Sequence, residues 1–237
     1  MIELDKLKNW YPPKDWLEIQ TIDAHTGGEP LRIIISGFPK LTGNTVLEKR
    51  ACAKSEFDQI RKARIWEPRG HADMYGAIIV EPDTRDTDFG VIFIHNEGYS
   101  TGCGHAVIAL TKVFVEMGLI PKTEPVTEMK MDVPSGLIRS FSEVKDGKIT
   151  NVGFYNVPSF VQKLDAVVDV PGLGSIQYDL AFGGAFYAFV DAAQLGLDCV
   201  EEYHDELIEM GMMIKRSIMT SLEMGHPTEP EMNFLYG

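Results

Sequence analysis

The sequence is poor in cysteine and in positive charge, and it contains no long apolar run. Its 237 residues include three cysteines and no CxxC pair, which argues against a disulfide framework and a cysteine-based metal site. Lys and Arg number 22 against 35 Asp and Glu, and the net charge of −13 disfavours nucleic acid and anionic membranes as partners. No apolar stretch has the length of a membrane span or the character of a signal peptide. We expect a soluble, cytoplasmic protein.

Short apolar runs alternate with a few helical patterns, so the fold class is α/β or α+β. Three runs rich in β-branched or aromatic residues predict buried strands at 31–35, 76–80 and 91–95. Asp146 and Gly147 lie between two further runs and predict a hairpin of 137–144 with 148–157.

Three helices are predicted. The best defined begins at Gly104 and is apolar on nearly every side up to Gly118, so we expect a sheet around it. A helix over 48–65 has an amphipathic pattern, and its basic residues form either a solvated face or, less favoured, an anion site (Arg61, Lys62 and Arg64). A third helix has Asp198 as its N-cap with Glu201 in a capping box, and ends at Gly225 and Pro227.

The chain predicts two domains, 1–152 with the Gly104 helix and 153–237 as an incomplete second domain, because residues 161–180 are punctuated by Pro and Gly. The last four residues, 234–237, are typical of the opening of a strand. We therefore expect a chain truncated at its C-terminus.

Cys103 is the strongest candidate for chemistry. It stands between Gly102 and Gly104 where a Gly-rich loop enters the predicted helix. The free backbone amides of Gly104 and His105, with the helix dipole, form a site for a carboxylate. The same dipole is expected to lower the pKa of the thiol, making it a base or nucleophile. The alternative is a small buried apolar residue, as a lone cysteine commonly is.

The other cysteines and histidines carry weaker signals. Cys52 and Cys199 are interpreted as structural. His25, His71 and Asp73 lack the local spacing of metal ligands, so no metal site is expected. By itself, His226 in its Gly-His-Pro loop has the pattern of an inert surface residue.

Six ordered segments, at 22–33, 69–76, 97–110, 133–136, 156–160 and 182–187, resemble the motifs of the proline racemase family. The resemblance implies a diaminopimelate-epimerase-like fold of two domains, each a mixed curled sheet around a central helix. It implies catalysis without a cofactor, with Cys103 removing the Cα proton of proline or a hydroxyproline and the backbone of Gly104 and His105 binding the carboxylate. His226 matches a loop histidine that binds substrate in the hydroxyproline epimerases. The sequence departs from the family at Gly102, where a larger residue is usual.

In this family a cysteine at the second catalytic position accompanies racemisation or epimerisation, and a threonine accompanies dehydration. That position lies beyond Gly237, so the choice depends on the surroundings of Cys103, where the Tyr99-Ser-Thr loop is closer to the dehydratases. We expect a trans-3-hydroxy-L-proline dehydratase acting on a small-molecule substrate. The alternatives are a proline racemase or 4-hydroxyproline 2-epimerase, and a non-catalytic fragment. A homodimer is compatible with the sequence, whereas a papain-like hydrolase lacks its His and Asn context.

Overall fold

The computed structural model describes residues 3–237 of the chain. The strands in this range are β1 (Gln20–Thr26), β2 (Glu29–Ser36), β3 (Tyr75–Val80), β4 (Phe89–His95), β5 (Tyr99–Ser100), β6 (Val126–Val133), β7 (Gly136–Lys145), β8 (Lys148–Tyr155), β9 (Phe160–Val170), β10 (Gly174–Phe182) and β11 (Phe186–Phe189). The α-helices are α1 (Val46–Glu56), α2 (Asp58–Ile65), α3 (Gly104–Glu116) and α4 (His204–Ser221). Short 3₁₀ helices lie at Leu4–Asn9, Ala192–Leu195, Glu201–Tyr203 and Pro230–Met232. None of the helices described is long and apolar enough to cross a membrane.

The larger sheet is mixed and has eight strands in the order β1-β2-β3-β4-β6-β7-β8, with β5 paired to β4. The pairs β2–β3 and β4–β6 are parallel, and the other pairs are antiparallel. The strands predicted at 31–35, 76–80 and 91–95 are confirmed as parts of β2, β3 and β4. The predicted hairpin is also confirmed, because Asp146 and Gly147 both have positive φ, as the tight turn between β7 and β8 requires.

Helix α3 lies inside the curl of this sheet. It contacts β1 and β8, the strands at the two ends of the sheet, as well as β2, β3 and β7. Its apolar residues on several sides are therefore buried, with Ala106 and Leu110 completely inaccessible. The expectation of an apolar helix enclosed by sheet is confirmed, and the fold is a mixed α/β fold with a curled sheet.

The single helix predicted over 48–65 is two helices in the structure. Thr45 forms a capping box with Glu48 at the start of α1, and the chain changes direction at Phe57 before α2. The prediction of a solvated helix face was wrong for Arg61. Its side chain is buried, pairs with Asp58 and donates to the backbone oxygens of His95 and Asn96. Through Arg61, helix α2 therefore holds the turn after β4 in place.

The smaller sheet has the order β11-β10-β9 and is antiparallel. Residues 161–180, interpreted above as a punctuated segment at a domain change, are mostly β9 and β10 joined by a short turn. Helix α4 packs against β9 through Ile214 and Ile218. Near the end of the described range, Leu235 forms a single parallel bridge with Phe186, so the strand expected at 234–237 appears there only as a bridge.

The predicted limits of the third helix were wrong. Helix α4 begins at His204 after a short 3₁₀ helix whose N-cap is Val200, so Asp198 caps neither element. The helix ends at Ser221, before the glycine and proline expected to stop it. The spacing of Asp198 and Glu201 resembles a capping box in the sequence, but the structure forms no capping box there.

The two sheets share one continuous hydrophobic core. It contains Leu110 and Phe114 of α3 together with Phe182 and Phe186 of the smaller sheet. The chain passes from one sheet to the other between Tyr155 and Phe160. The division into domains of 1–152 and 153–237 stays a prediction.

Candidate active site

A cavity of about 200 Å³ lies at the N-terminal end of α3, where the two sheets meet. The larger sheet and α3 contribute one wall, and the β10–β11 turn and the segment near Tyr236 contribute the other. Its lining residues are Tyr75, Phe93, Gly102, Cys103, Gly104, His105, Val107, Val133, Ile138, Phe154, Asn156, Gly183, Gly184, Ala185, Tyr187 and Tyr236.

Cys103 is the N-cap residue of α3, as the predicted helix start required. Its backbone is extended, with φ −156 and ψ 101, and its carbonyl accepts the first helical hydrogen bond, from Val107 N–H at 3.1 Å. The amides of Gly104 and His105 belong to the first turn, which has no partners within the helix. They line the cavity beside the Cys103 thiol. The structure thus brings together a thiol and a helix N-terminus suited to a small anion.

The two glycines beside Cys103 differ in how closely they approach their neighbours. A Cβ on Gly104 would lie 3.3 Å from Cζ of Phe154, tighter than most such contacts. A Cβ on Gly102 would find its nearest neighbour, Oγ of Ser135, at an ordinary 3.6 Å. Glycine at 104 therefore permits the close approach of Phe154, while glycine at 102 leaves extra room on the cavity floor.

The expectation that the helix dipole lowers the pKa of Cys103 was wrong. Burial raises the pKa of the thiol to about 12, the nearby carboxylate of Glu29 adds to the rise, and the backbone amide of Ala106 opposes it only in part. Burial also lowers the pKa of His105. The imidazole Nδ1 lies 3.5 Å from the Sγ of Cys103. At neutral pH the structure holds a thiol beside a neutral imidazole.

Three contacts hold the walls of this cavity. Thr26 Oγ1 donates to the backbone oxygen of His105 at 2.9 Å and fixes the first turn of α3 against β1. Across the cavity, the buried hydroxyl of Thr101 donates to the backbone oxygen of Gly184, and Asn156 Nδ2 donates to that of Gly183 at 2.8 Å. These last two bonds tie the β10–β11 turn to the larger sheet.

Three tyrosines line the cavity and were not singled out from the sequence. The hydroxyls of Tyr75 and Tyr236 lie 2.9 Å apart, and the ring of Tyr75 meets the ring of His105 edge-on at 4.8 Å. Burial raises the pKa of Tyr187 to about 12. Tyr75 and Tyr187 fall inside two of the family segments, so an aromatic hydroxyl within a motif was the available signal. Tyr236 had none, because only the fold brings it to Tyr75.

The structure does not bring His226 to the cavity. Its Nδ1 accepts the backbone N–H of Glu229 at 3.0 Å, and its ring packs against that of Phe182 at 4.8 Å. This geometry holds the loop after α4 and gives no support to the predicted role in substrate binding.

The weaker candidates also lie apart from the cavity. Cys52 is buried and its sulfur accepts from the backbone N–H of Thr42 at 3.4 Å, whereas Cys199 is exposed. In the part of the chain that the structure describes, no three His, Cys, Asp or Glu side chains are grouped as metal ligands.

Comparison with known proteins gives one consistent picture. The family model described as proline racemase matches residues 21–237. A trans-3-hydroxy-L-proline dehydratase of Colwellia psychrerythraea is 50% identical over 235 residues, covering 98% of this chain and 66% of the relative. A 3-hydroxyproline 2-epimerase of Burkholderia multivorans is 45% identical over 219 residues, covering 92% of this chain and 65% of the relative. The chain thus spans just under two thirds of the length of these relatives.

A solved structure agrees with the sequence comparisons. A hydroxyproline epimerase from Agrobacterium vitis, with bound trans-4-hydroxy-L-proline, superposes with a TM-score of 0.87 at 30% identity. The match covers 92% of this chain and 64% of that structure. The curled sheet and the enclosed helix are therefore those of a known fold.

Proposed function

We propose a function from the premise that this chain belongs to the proline racemase family: it takes part in the dehydration of trans-3-hydroxy-L-proline. The observation that carries the proposal is the Cys103 thiol at the open N-terminus of α3, inside a cavity of about 200 Å³. The 50% identity to a relative named as such a dehydratase supports the choice of reaction and substrate.

In the proposed complex the substrate carboxylate accepts hydrogen bonds from the backbone amides of Gly104 and His105. The positive end of the helix dipole favours the negative charge at that position. With the carboxylate held there, the Cα hydrogen of a small ring lies near the Cys103 sulfur. Positioning of this kind converts a slow proton abstraction into one between groups already in contact.

Cys103 acts as the base once it has lost its proton. The raised pKa of the thiol means that few molecules carry the thiolate at neutral pH, but also that the thiolate is a strong proton acceptor. The neutral His105 imidazole at 3.5 Å can accept the thiol proton. The positive ring nitrogen of a bound imino acid favours the thiolate further. Deprotonation at Cα is then followed by departure of the 3-hydroxyl group.

Epimerisation at Cα is the second candidate, favoured by the relative named 3-hydroxyproline 2-epimerase. Both reactions begin with the same deprotonation, and they differ in what happens next. A dehydratase expels the hydroxyl group, whereas an epimerase returns a proton to the opposite face of Cα.

The test is incubation with trans-3-hydroxy-L-proline in deuterated water, followed by NMR. We expect loss of the hydroxyl group, and a fall of at least about 10²-fold in Cys103→Ser because the base is removed. Cys199→Ser, which changes an exposed cysteine away from the cavity, is the matched control and should retain the rate. A product that keeps its hydroxyl and gains deuterium at an inverted Cα would replace the dehydratase with the epimerase. Undiminished turnover in Cys103→Ser would reject the mechanism.

A further inference from the structure

Tyr75 and Tyr236 form a hydroxyl pair in the wall between two cavities. Their oxygens lie 2.9 Å apart. Both side chains line the cavity that contains Cys103, and both also line a larger cleft of about 960 Å³ on the other side. The pair is therefore in contact with an enclosed site and with a second, more open space.

Neighbouring residues hold both tyrosines in place. Tyr236 is held by its backbone N–H, which donates to the oxygen of Phe186 at 2.8 Å, and by Lys215 Nζ, which donates to its backbone oxygen. Tyr75 is held in β3 and against the ring of His105. The ring of His95 lies 5.6 Å from each tyrosine ring. The two hydroxyls are thus fixed relative to the N-terminus of α3.

The pair also has a proton to give. A tyrosine hydroxyl has one hydrogen, so when one hydroxyl donates to the other, the second hydrogen stays free to donate elsewhere. Burial raises the pKa of both Tyr75 and Tyr236, and both hydroxyls therefore keep their protons at neutral pH. Removal of a hydroxyl group from the substrate needs such a donor, because hydroxide leaves poorly without a proton.

We propose that the Tyr75–Tyr236 hydroxyl pair, in the wall of the Cys103 cavity, is the general acid that protonates the departing 3-hydroxyl group. The inference rests on the proposed dehydratase function. It assigns the two steps to two sides of the substrate, with Cys103 on Cα and the tyrosine pair on the ring hydroxyl.

The step balances without an oxidant or reductant. The Cys103 thiolate takes the Cα proton, so an S–H bond forms as the Cα–H bond breaks. The freed electron pair forms a double bond between Cα and Cβ while the Cβ–O bond breaks. The departing oxygen takes the free tyrosyl proton and leaves as water. The tyrosinate regains a proton from its partner hydroxyl, which is reprotonated by solvent. The proton that the Cys103 thiol gave up to become a thiolate passes to solvent, so the net change is the loss of one water molecule from the substrate.

The experiment separates the two steps with two substrates. Loss of hydroxyl from trans-3-hydroxy-L-proline requires both steps, whereas exchange of the Cα hydrogen of L-proline with deuterated water requires only Cys103. For the double variant Tyr75→Phe/Tyr236→Phe we expect hydroxyl loss to fall by about 10²–10⁴-fold, the usual contribution of a general acid. The Cα exchange of L-proline should stay within about threefold, since it needs no proton donor to a leaving group.

Tyr178→Phe is the matched control. Tyr178 is a buried tyrosine of β10 that lines neither cavity, so its variant should retain both rates. If the double variant loses both activities, the single variants decide: at least one must slow hydroxyl loss tenfold or more while keeping Cα exchange. Equal loss of both rates in every variant would show a structural role and overturn the proposal.

The failure of this inference differs from the failure of the proposed function. Wild-type protein that expels the hydroxyl, with a double variant that does so equally fast, would overturn the general acid and leave the dehydratase standing. Wild-type protein that exchanges the Cα hydrogen of trans-3-hydroxy-L-proline but keeps the hydroxyl would reject the dehydratase and the general acid together.

Discussion

The larger sheet with α3 and the smaller sheet with α4 bury their apolar residues in different ways. Every residue of β4 from Phe89 to Ile94 is buried, and α3 is enclosed by strands of the same curled sheet. Strand β9 instead alternates, and Val161, Leu164 and Val167 are more than half exposed. The region that is buried most completely also holds Cys103, Gly104 and His105. The other region supplies a glycine turn and two tyrosines to the cavity.

This difference has a physical reason. The first-turn amides of a helix have no partner within the helix, and they hold a ligand in a precise position only when the rest of the helix is firmly packed. Helix α3 meets that condition, whereas α4 has one buried face, with Ile214 and Ile218 as its buried residues. The packing of the larger sheet therefore sets the position of the thiol.

The largest expected effect contrasts the two helices directly. Leu110→Ala in α3 removes a completely buried side chain and should lower the free energy of unfolding by about 2–5 kcal/mol. Leu207→Ala in α4, the same change at a half-buried position, should cost roughly 1 kcal/mol. Urea unfolding of both variants measures the difference, and equal losses would remove the contrast between the regions.

The hydrogen bond from Thr101 to Gly184 joins the two regions, and its loss should have the next largest effect. Thr101→Val removes the hydroxyl that donates to the Gly184 backbone, leaves a buried carbonyl without that partner and should cost about 1–3 kcal/mol. Because Gly184 lines the cavity, substrate binding should also weaken. Thr111→Val is the control, since its buried hydroxyl donates to Ser140 of β7 at 2.8 Å and joins α3 to the larger sheet, away from the smaller one. Calorimetry should show both variants destabilised but only Thr101→Val impaired in binding.

His95 lies where the two regions meet, with its ring 5.6 Å from that of Tyr236. Its protonation can therefore be used to test the contact between the regions by changing the pH. Burial lowers the pKa of His95 from 6.5 to about 4. Between these values the unfolded chain binds a proton that the folded chain does not, so stability should fall as the pH drops from 6.5 to about 4. In His95→Gln this part of the pH dependence should disappear from thermal unfolding curves. An unchanged slope would place the acid sensitivity elsewhere.

The smallest expected change in stability comes from the helix caps, where Thr45 and Asp198 can be compared. Thr45→Ala breaks the capping box of α1 and should cost about 1 kcal/mol. Asp198→Ala should change stability by less than about 0.5 kcal/mol, because Asp198 caps no helix in the structure. A comparable loss in both variants would restore the cap predicted from the sequence.

Sequence reasoning succeeded where a local pattern and the packing agree. The apolar helix after Cys103, the strands β2, β3 and β4 and the Asp146-Gly147 turn each have a strong local signal, and all are in the structure. The hairpin of β9 and β10 was missed because each strand is apolar on only one face and its turn glycines resembled a linker. Burial of Arg61 could not be read from its charged neighbours.

The candidate site was predicted in part. Cys103, Gly104 and His105 are adjacent in sequence, so the helix start alone brings them together. Tyr75 and Tyr236 are 161 residues apart, and only the tertiary fold joins their hydroxyls. The direction of the Cys103 pKa shift failed for a related reason. The helix dipole is a local effect, whereas burial comes from Phe154, Tyr187 and other residues distant in the chain that line the same cavity.

The central claim is that the cavity at Cys103 is where the substrate binds, and ligand protection tests it without requiring turnover. Iodoacetamide labelling is carried out at alkaline pH and quantified by mass spectrometry. The alkaline pH is needed because the raised pKa of Cys103 makes its thiol slow to react at neutral pH. Trans-3-hydroxy-L-proline should slow the labelling of Cys103 and leave that of the exposed Cys199 unchanged. Labelling of Cys103 at the same rate with and without saturating ligand would contradict the account.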